Sequence, residues 1–367
     1  MSNENHESLG SIESIELGII EGFFGQPWSW EERERVCETL ASQGYGFYLY
    51  APKADPFLRR RWMEPHPPET SQALTSFGQF CRARGMRFGI GLSPFEAYRN
   101  FDQRVRDALA AKLEAFDELG IDDLALLFDD MRGDIPELAD RQVEIIHWVK
   151  ARTSASRVMV CPSYYSDDPV LDRVFGQRPE GYLERLGELL DPAVEVFWTG
   201  EEVCSREFSP GHLERVSRQL RRKPLLWDNY PVNDGPRMSQ FLHLRGFTGR
   251  PVANGDWVSG HGINPALQPT LSCIPALTLA QSYRQGTAYQ YGGAFMQAAR
   301  KVLGAELAEA LASDLLIFQD GGLGRLAEDS KQKLIARYKA FNHPGAREIV
   351  RWLNGEYTVT GEEVQTQ

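Results

Sequence analysis

Short apolar runs recur along the first two thirds of the chain, and each is followed by a polar stretch with helical periodicity. The runs are rich in β-branched and aromatic residues, which is typical of buried parallel strands. Seven runs are visible, at 17–20, 47–50, 88–92, 124–128, 158–160, 194–198 and 224–227. The segments between them with helical period include 30–42, 102–120, 137–153 and 210–222.

The spacing of these runs predicts the architecture. Successive runs lie roughly 30–40 residues apart, which is the length of a strand–helix–strand unit. We expect an eighth strand between Phe247 and Ile263. The fold class is therefore α/β, and eight such units predict a (β/α)8 TIM-type barrel. A doubly wound open sheet is the alternative, but no GxGxxG motif opens a helix after the first strand.

The pattern changes after about Leu271. Helical periodicity continues over 296–318, 324–341 and 345–353, with breaks at 321–324 and 344–345. We therefore predict a (β/α)8 barrel at 15–270 and a small C-terminal helical region at 271–355. The polar ends, 1–14 and 356–367, are expected to be frayed.

Composition narrows the possible partners and location. The 367 residues contain 40 Lys plus Arg and 51 Asp plus Glu, so the net charge is −11. An acidic chain repels nucleic-acid backbones and anionic membrane surfaces, so neither is an expected partner. No apolar run approaches the ~18 residues of a membrane span, and the opening MSNENHESLG lacks the features of a secretory signal. A cytoplasmic location is expected.

Metal and cofactor motifs are scarce. The five cysteines are widely spaced without a CxxC pair, and the seven histidines form neither HxH nor HExxH. We expect no cofactor and no metal, although a carboxylate site for a hard cation is harder to exclude.

The strongest chemical signal is an acid pair at a strand end. In a (β/α)8 barrel the active site lies at the carboxyl ends of the strands. There, five apolar residues at 124–128 precede Asp129 and Asp130. Two like charges this close disfavour joint ionisation, so one of them can donate a proton near neutrality. The alternative interpretation is that the pair caps the following helix.

Other strand ends carry aromatic rings, amides and one lysine. Flat apolar faces pack on a sugar ring, while amides and carboxylates bind its hydroxyls. Each residue also has a plain structural interpretation: solvated lysine, core aromatic or turn former. The candidates are Lys53, Tyr165, Trp227, Asn229 and Asp234.

Two further features remain open. Glu21 is either a buried acid held by backbone donors near Gly22 or the main rival for a second catalytic carboxylate. The run of arginines at 59–61 is interpreted as a solvated helix face.

Together these strand ends resemble the family 84 glycoside hydrolases, the β-N-acetylglucosaminidases that include the O-GlcNAcases. The resemblance covers about residues 16–270, and the motifs occur in the family's order. They are EGFFGQPW at 21–28, YLYAPKADP at 48–56, LLFDD at 126–130, FWTG at 197–200 and WDNYPVND at 227–234.

The resemblance implies a retaining hydrolase with substrate-assisted catalysis, an exception to the scheme in which two protein carboxylates act as acid and nucleophile. The 2-acetamido oxygen of the sugar attacks its own anomeric carbon and forms an oxazoline. By this resemblance Asp129 orients the acetamido group through its N–H, and Asp130 is the general acid and then the base. Tyr165 matches a tyrosine that hydrogen-bonds at the reacting acetamido group.

The resemblance also implies contacts to the sugar itself. The Gly22 carbonyl and Lys53 match groups that hold ring hydroxyls, and Trp227 matches an aromatic wall. Asn229 matches an amide beside the acetamido pocket, and Asp234 a carboxylate that binds the hydroxyls farthest from the scissile bond.

Asn264 matches a further hydroxyl-binding asparagine, across a loop slightly longer than the family's. Phe24 stands where the family usually has tyrosine, so a hydroxyl contact is missing. The segment 163–165 and Glu201 also depart from the family pattern, on what we expect to be the leaving-group side. These departures put the aglycone preference in doubt.

Two alternatives to the hydrolase remain at this point. One is a non-catalytic barrel that binds N-acetylglucosamine. The other is a cation-dependent hydrolase in which Asp129, Asp130 and Asp134 are metal ligands, since hard cations prefer oxygen donors.

Overall fold

Eight parallel strands form the centre of the molecule. The structure, a computed structural model, describes residues 15–360. The strands pair in chain order into a closed barrel, and β1 pairs with both β2 and β8. The predicted (β/α)8 barrel is confirmed, and the doubly wound open sheet is wrong. The strands are β1 (Leu17–Glu21), β2 (Tyr45–Tyr50), β3 (Arg87–Leu92), β4 (Asp123–Leu127), β5 (Arg157–Cys161), β6 (Glu195–Trp198), β7 (Leu225–Asp228) and β8 (Gly260–Ile263).

The eighth strand lies within the predicted interval although its sequence, GHGI, contains no apolar run. The reason is close packing inside the barrel. A Cβ atom on Gly260 would lie 2.8 Å from Leu225, and one on Gly262 would lie 2.5 Å from Ile20. Side chains from β7 and β1 therefore fill the space beside β8, so these two positions require glycine.

Helices surround the barrel in the usual alternation. Ser29 and Glu32 form a reciprocal capping box at the start of the first helix, which fixes where the chain turns after β1. The first seven helices are α1 (Trp30–Ala41), α2 (Pro68–Arg82), α3 (Gln103–Leu119), α4 (Leu138–Lys150), α5 (Pro169–Phe175), α6 (Tyr182–Leu189) and α7 (Pro210–Leu220).

The helical character predicted beyond Leu271 is present. Gly304 adopts a φ of +80°, a conformation that favours glycine, and divides the segment predicted at 296–318 into two helices. A single π-helical turn follows at 317–321. The helices are α8 (Pro269–Gln285), α9 (Tyr291–Leu303), α10 (Ala305–Leu316), α11 (Glu328–Lys339) and α12 (Pro344–Leu353).

The C-terminal helices are joined to the barrel by buried polar contacts. The carboxylate of Glu348 in α12 accepts hydrogen bonds from the first backbone N–H groups of α8, those of Thr270 and Leu271, at 2.9 and 3.0 Å. Helix α8 itself packs on α1. Because α8 spans Pro269–Gln285, the predicted division at 270/271 falls inside this helix. We propose that the barrel unit extends to the end of α8.

Fraying was predicted for both ends of the chain. Residues 1–14 and most of the polar tail, 356–367, lie outside the described residues. Within 15–360, none of the helices combines the length and apolar character that crossing a bilayer requires.

Candidate active site

A pocket opens at the carboxyl ends of the barrel strands, with an empty volume of about 520 Å³. All ten residues selected from the sequence line it: Gly22, Phe24, Lys53, Asp129, Asp130, Tyr165, Trp227, Asn229, Asp234 and Asn264. They come from loops far apart in sequence because the carboxyl ends of all eight strands converge at this face. Five further residues line the pocket but were not among the ten selected, because small or apolar side chains give no chemical signal: Cys161, Thr199, Val203, Cys204 and Val232.

The two aspartates follow β4 directly. The backbone of Asp130 has a φ of +55°, in the left-handed region that non-glycine residues rarely adopt. Such strain is held in place by surrounding contacts and is common at functional sites. The next helix, α4, begins only at Leu138, so the interpretation of the pair as a helix cap is wrong.

Asp129 is 6% exposed. Its Oδ2 atom contacts the Lys53 ammonium, and that lysine side chain is itself almost completely buried. Its Oδ1 atom is buried and accepts no hydrogen bond from the described residues. A buried acceptor normally has a donor, so an unpartnered carboxylate oxygen in a pocket is suited to a donor on a ligand.

Asp130 is surrounded by donors. The Tyr165 hydroxyl donates to its Oδ1 atom at 3.2 Å, and the Lys53 Nζ atom lies 3.7 Å from its Oδ2 atom. Burial, with the nearby negative charges of Asp130 and Asp129, raises the pKa of Tyr165 well above its usual value. Tyr165 therefore keeps its proton and remains a hydrogen-bond donor to Asp130.

Arg59 also reaches Asp130, and its interpretation as part of a solvated helix face is wrong. Its guanidinium Nη2 donates to the Asp130 backbone carbonyl at 3.2 Å, and its Nη1 lies 3.9 Å from Asp130 Oδ2. The side chain is only 14% exposed. Arg60 and Arg61 are exposed, as expected.

Amide groups form one wall of the pocket. The Asn264 side chain accepts from the Gly22 N–H at 3.3 Å and donates to Asn229 Oδ1 at 2.9 Å. The Trp227 indole donates to the same Asn229 oxygen at 3.1 Å. A Cβ atom on Gly22 would lie 2.3 Å from the Trp227 ring, so the residue before Phe23 must be glycine for the two to meet. These contacts fix the orientation of the indole.

Asp234 and Phe24 form the end of the pocket contributed by the β1 and β7 loops. Asp234 accepts the Phe24 N–H at 2.8 Å and is 5% exposed. Its neighbour Asn233 anchors the loop by accepting from the Leu267 N–H at 2.9 Å. A backbone N–H of the β1 loop therefore helps to hold a carboxylate at this end of the pocket.

Glu21 is a structural acid. It is completely buried, and its carboxylate is bonded to the guanidinium of Arg33 at 2.8 Å and to the Tyr48 hydroxyl at 2.6 Å. Side chains hold it, not the backbone donors that we expected near Gly22. With both oxygens engaged, Glu21 is not placed to act as the second catalytic carboxylate.

The aspartates proposed as metal ligands are not brought together. Asp134 is partly exposed, and its carboxylate pairs with Arg132 rather than joining Asp129 and Asp130. Within the described part of the chain, no group of three or more His, Cys, Asp or Glu residues is placed to hold a metal ion.

The residues that depart from the family pattern lie in different environments. Ser163 is fully buried and bonds to Gln142 and to the Phe128 carbonyl. Tyr164 donates to the Gly176 carbonyl at 2.6 Å, whereas Glu201 is exposed. Tyr165, the last residue of the segment, matches the family, and of Phe24, Ser163, Tyr164 and Glu201 only Phe24 lines the pocket.

A second and larger cavity adjoins the pocket. Its empty volume is about 1760 Å³, and it shares Val203, Cys204 and Asn229 with the pocket. A ligand larger than one sugar therefore has adjoining space.

The fold and the pocket define a (β/α)8-barrel protein with an acidic, aromatic-lined site at the carboxyl ends of its strands. The chain belongs to the β-N-acetylglucosaminidase family, whose sequence model matches residues 17–315. The family recognised from the strand-end motifs is confirmed.

Individual relatives agree with this assignment. The chain is 29% identical over 286 residues to the protein O-GlcNAcases of Mus musculus and Rattus norvegicus. The match covers 76% of this chain and 31% of either relative, so the chain spans about a third of their length. Among solved structures, a mutant O-GlcNAc hydrolase of Thermobaculum terrenum superimposes with a TM-score of 0.76 and 28% identity, over 93% of this chain and 80% of that one.

Proposed function

We propose that the protein is a retaining β-N-acetylglucosaminidase of the O-GlcNAcase type that removes terminal β-linked N-acetylglucosamine. The observation that carries the proposal is the hydrogen bonding of the Asp129 carboxylate. Its buried Oδ1 atom has no donor among the described residues. Asp130 beside it accepts a hydrogen bond from the Tyr165 hydroxyl at 3.2 Å and has nitrogens of Lys53 and Arg59 at 3.7 and 3.9 Å. One carboxylate is thus available to an N–H group, and its neighbour is held for proton transfer.

In the first step the 2-acetamido carbonyl oxygen attacks the anomeric carbon. Asp129 accepts the acetamido N–H, which directs the group and makes its oxygen a better nucleophile. As the bond from the anomeric carbon to the leaving oxygen breaks, Asp130 gives its proton to that oxygen. The products are the free aglycone alcohol and a protonated oxazoline (an oxazolinium ion), whose N–H stays bonded to Asp129, with Asp130 ionised.

In the second step Asp130 acts as a base. It removes a proton from a water molecule whose oxygen attacks the anomeric carbon, and the bond to the oxazoline oxygen breaks. The acetamido group and the proton on Asp130 are both restored. Two inversions at one carbon leave the β configuration, so the reaction is retaining.

The rest of the pocket suits one neutral sugar ring. We assign Lys53, the Gly22 carbonyl and Asn264 to ring hydroxyls, Asp234 to the hydroxyls farthest from the scissile bond, and Trp227 to the apolar ring face. Phe24 takes part by shape alone, because it has no hydroxyl. Asn229 completes the acetamido pocket.

The leaving group is a glycoprotein or a glycan. Hydrolysis of a glycopeptide and of a chito-oligosaccharide distinguishes the two. The cytoplasmic location expected from the sequence stays a prediction, which cell fractionation tests.

The test is turnover. We expect hydrolysis of an aryl β-N-acetylglucosaminide, and then of a glycopeptide or a chito-oligosaccharide, with the same rate in the presence of a chelator. Binding of N-acetylglucosamine without hydrolysis of any of the three would show a non-catalytic barrel. Activity lost with chelator and restored by Mg²⁺ or Ca²⁺ would show a cation-dependent hydrolase.

A further inference from the structure

Arg59 is placed to control the geometry of the acid pair. It lies just after the short 3₁₀ helix at Pro56–Leu58, and its guanidinium bridges the loop after β2 to the loop after β4. It does not line the pocket. It therefore acts on the reaction through Asp130 rather than by touching the sugar.

Two kinds of contact join Arg59 to Asp130. One guanidinium nitrogen donates to the Asp130 backbone carbonyl at 3.2 Å, and another lies 3.9 Å from the carboxylate Oδ2. One planar group thus holds both the backbone and the side chain of a residue whose φ is +55°. Because arginine presents several donors in a rigid fork, it can make both contacts at once, whereas lysine cannot.

The guanidinium is itself held by aromatic rings. The Cζ atom of Arg59 lies 5.8 Å from the ring centroid of Phe24 and 5.9 Å from that of Phe95. Phe24 lines the sugar pocket, whereas Phe95 is 40% exposed. Contact with two aromatic faces restricts the guanidinium and reduces its access to water.

We propose that Arg59 is a positioning residue that holds Asp130 in its left-handed conformation with the carboxyl group aimed at the leaving oxygen. The proposal rests on the proposed function, because it needs Asp130 to be the general acid. Its consequence is specific: loss of Arg59 impairs proton donation more than it impairs attack by the acetamido group.

The test compares two leaving groups. Arg59→Met keeps much of the side-chain length but removes the donors. For a glycopeptide serine linkage, which needs a proton, we expect kcat/KM, which reports the first step, to fall about 10- to 100-fold, since small misplacements of a catalytic group have effects of this size. For a 2,4-dinitrophenyl glycoside, whose phenolate leaves without a proton, we expect kcat/KM to fall by less than about threefold.

Matched variants separate positioning from folding. Arg61→Met removes an exposed arginine that contacts Glu64 and Phe57, and should keep native kinetics on both substrates. Arg59→Lys keeps the charge but lacks the planar guanidinium with its several donors. Its activity on the glycopeptide should lie between that of Arg59→Met and that of the native enzyme. Phe95→Ala, at an exposed site, removes one of the rings that restrict the guanidinium. It should lower activity in the same leaving-group pattern as Arg59→Met but by smaller factors. It therefore tests the proposal even if Arg59→Met does not fold.

The outcomes are distinct. If the native protein hydrolyses neither substrate, the proposed function fails. If the native protein is active and the Arg59 and Phe95 variants lose equal factors on both substrates, or lose nothing, the positioning role is overturned while the proposed function stands.

Discussion

The Tyr165 hydroxyl donates a hydrogen bond of 3.2 Å to Oδ1 of Asp130, from a buried position where its pKa is raised well above the usual value. Because its pKa is raised, the phenol keeps its proton at neutral pH and remains a donor. The bond therefore orients one carboxylate oxygen of Asp130 while the other remains near Lys53.

Tyr165→Phe removes that bond, together with the hydroxyl that the family resemblance places at the reacting acetamido group. Hydrogen bonds to charged groups contribute about 1.5–3 kcal/mol, so we expect kcat to fall by about 10- to 100-fold. Steady-state kinetics with an aryl β-N-acetylglucosaminide measure the effect. Tyr164→Phe is the control, because that hydroxyl bonds to the Gly176 carbonyl and does not line the pocket. Unchanged kcat in Tyr165→Phe would remove the tyrosine from the mechanism.

Asp130→Asn abolishes proton donation but preserves the shape of the residue. Turnover of a glycoside with a poor leaving group should fall by about 10²- to 10⁴-fold, the usual value of general acid catalysis. With a very good leaving group the first step needs no proton, so the loss should be much smaller. Rates measured across leaving groups of graded acidity give the comparison.

Substitutions at two other aspartates serve as comparisons for Asp130→Asn. Asp129→Asn should lower the rate for both classes of leaving group, because the acetamido group loses its acceptor in either case. Asp134→Asn should change neither, since Asp134 pairs with Arg132 away from the pocket. Equal and small effects at Asp129 and Asp130 would count decisively against the assigned roles.

Glu21→Gln should affect stability rather than chemistry. The substitution leaves the Arg33 guanidinium, whose side chain is 4% exposed, without its buried carboxylate partner. Breaking a buried ion pair on one side costs about 3–5 kcal/mol. Urea denaturation measures the loss, and kcat of the protein that remains folded should stay near native. If Glu21→Gln kept native stability but lost turnover, Glu21 would have a role in the reaction.

Stability should also depend on the protonation of Glu348. Burial raises the pKa of this carboxyl to about 7, although hydrogen bonds at the start of α8 lower it in part. Glutamate in the unfolded chain titrates near pH ~4.3, so between about pH 4.3 and 7 the folded state holds the extra proton. The free energy of unfolding therefore falls as pH rises through this interval and levels off above it.

Glu348→Gln should remove that slope. Urea melts at about pH 5 and about pH 7.5 should differ less in the variant than in the native protein, because glutamine does not titrate. The exposed Glu356, which pairs with Arg351, provides the control variant Glu356→Gln, and its pH dependence should match the native one. An unchanged slope in Glu348→Gln would assign the dependence to other groups.

Much of this molecule is predictable from its sequence, for identifiable reasons. Buried parallel strands require apolar runs, so seven strands were visible as such. Seven of the ten pocket residues could be chosen because parallel strands bring their carboxyl ends to one face. The other three, Gly22, Phe24 and Asn264, were implied only by the resemblance to the family. Strand β8 was visible only as an interval, since Gly260 and Gly262 pack beside side chains from other strands.

The position of Arg59 could not be read from the chain. Three consecutive arginines at 59–61 give no sign of which one turns inward. The burial of Arg59 depends on Phe24, Phe95 and Asp130, which lie in three other segments. The same holds for Glu21, whose partners Arg33 and Tyr48 belong to a helix and a neighbouring strand. Tertiary contacts of this kind have no local signature.

The central claim is that the substrate's own acetamido oxygen is the nucleophile. The most direct measurement is kcat/KM of the native protein for aryl glycosides whose N-acyl methyl carries zero, one, two or three fluorine atoms. Fluorine withdraws electrons from the carbonyl oxygen, so the account predicts a steep fall along the series. A rate that hardly changes with fluorination would contradict it and indicate a nucleophile supplied by the protein.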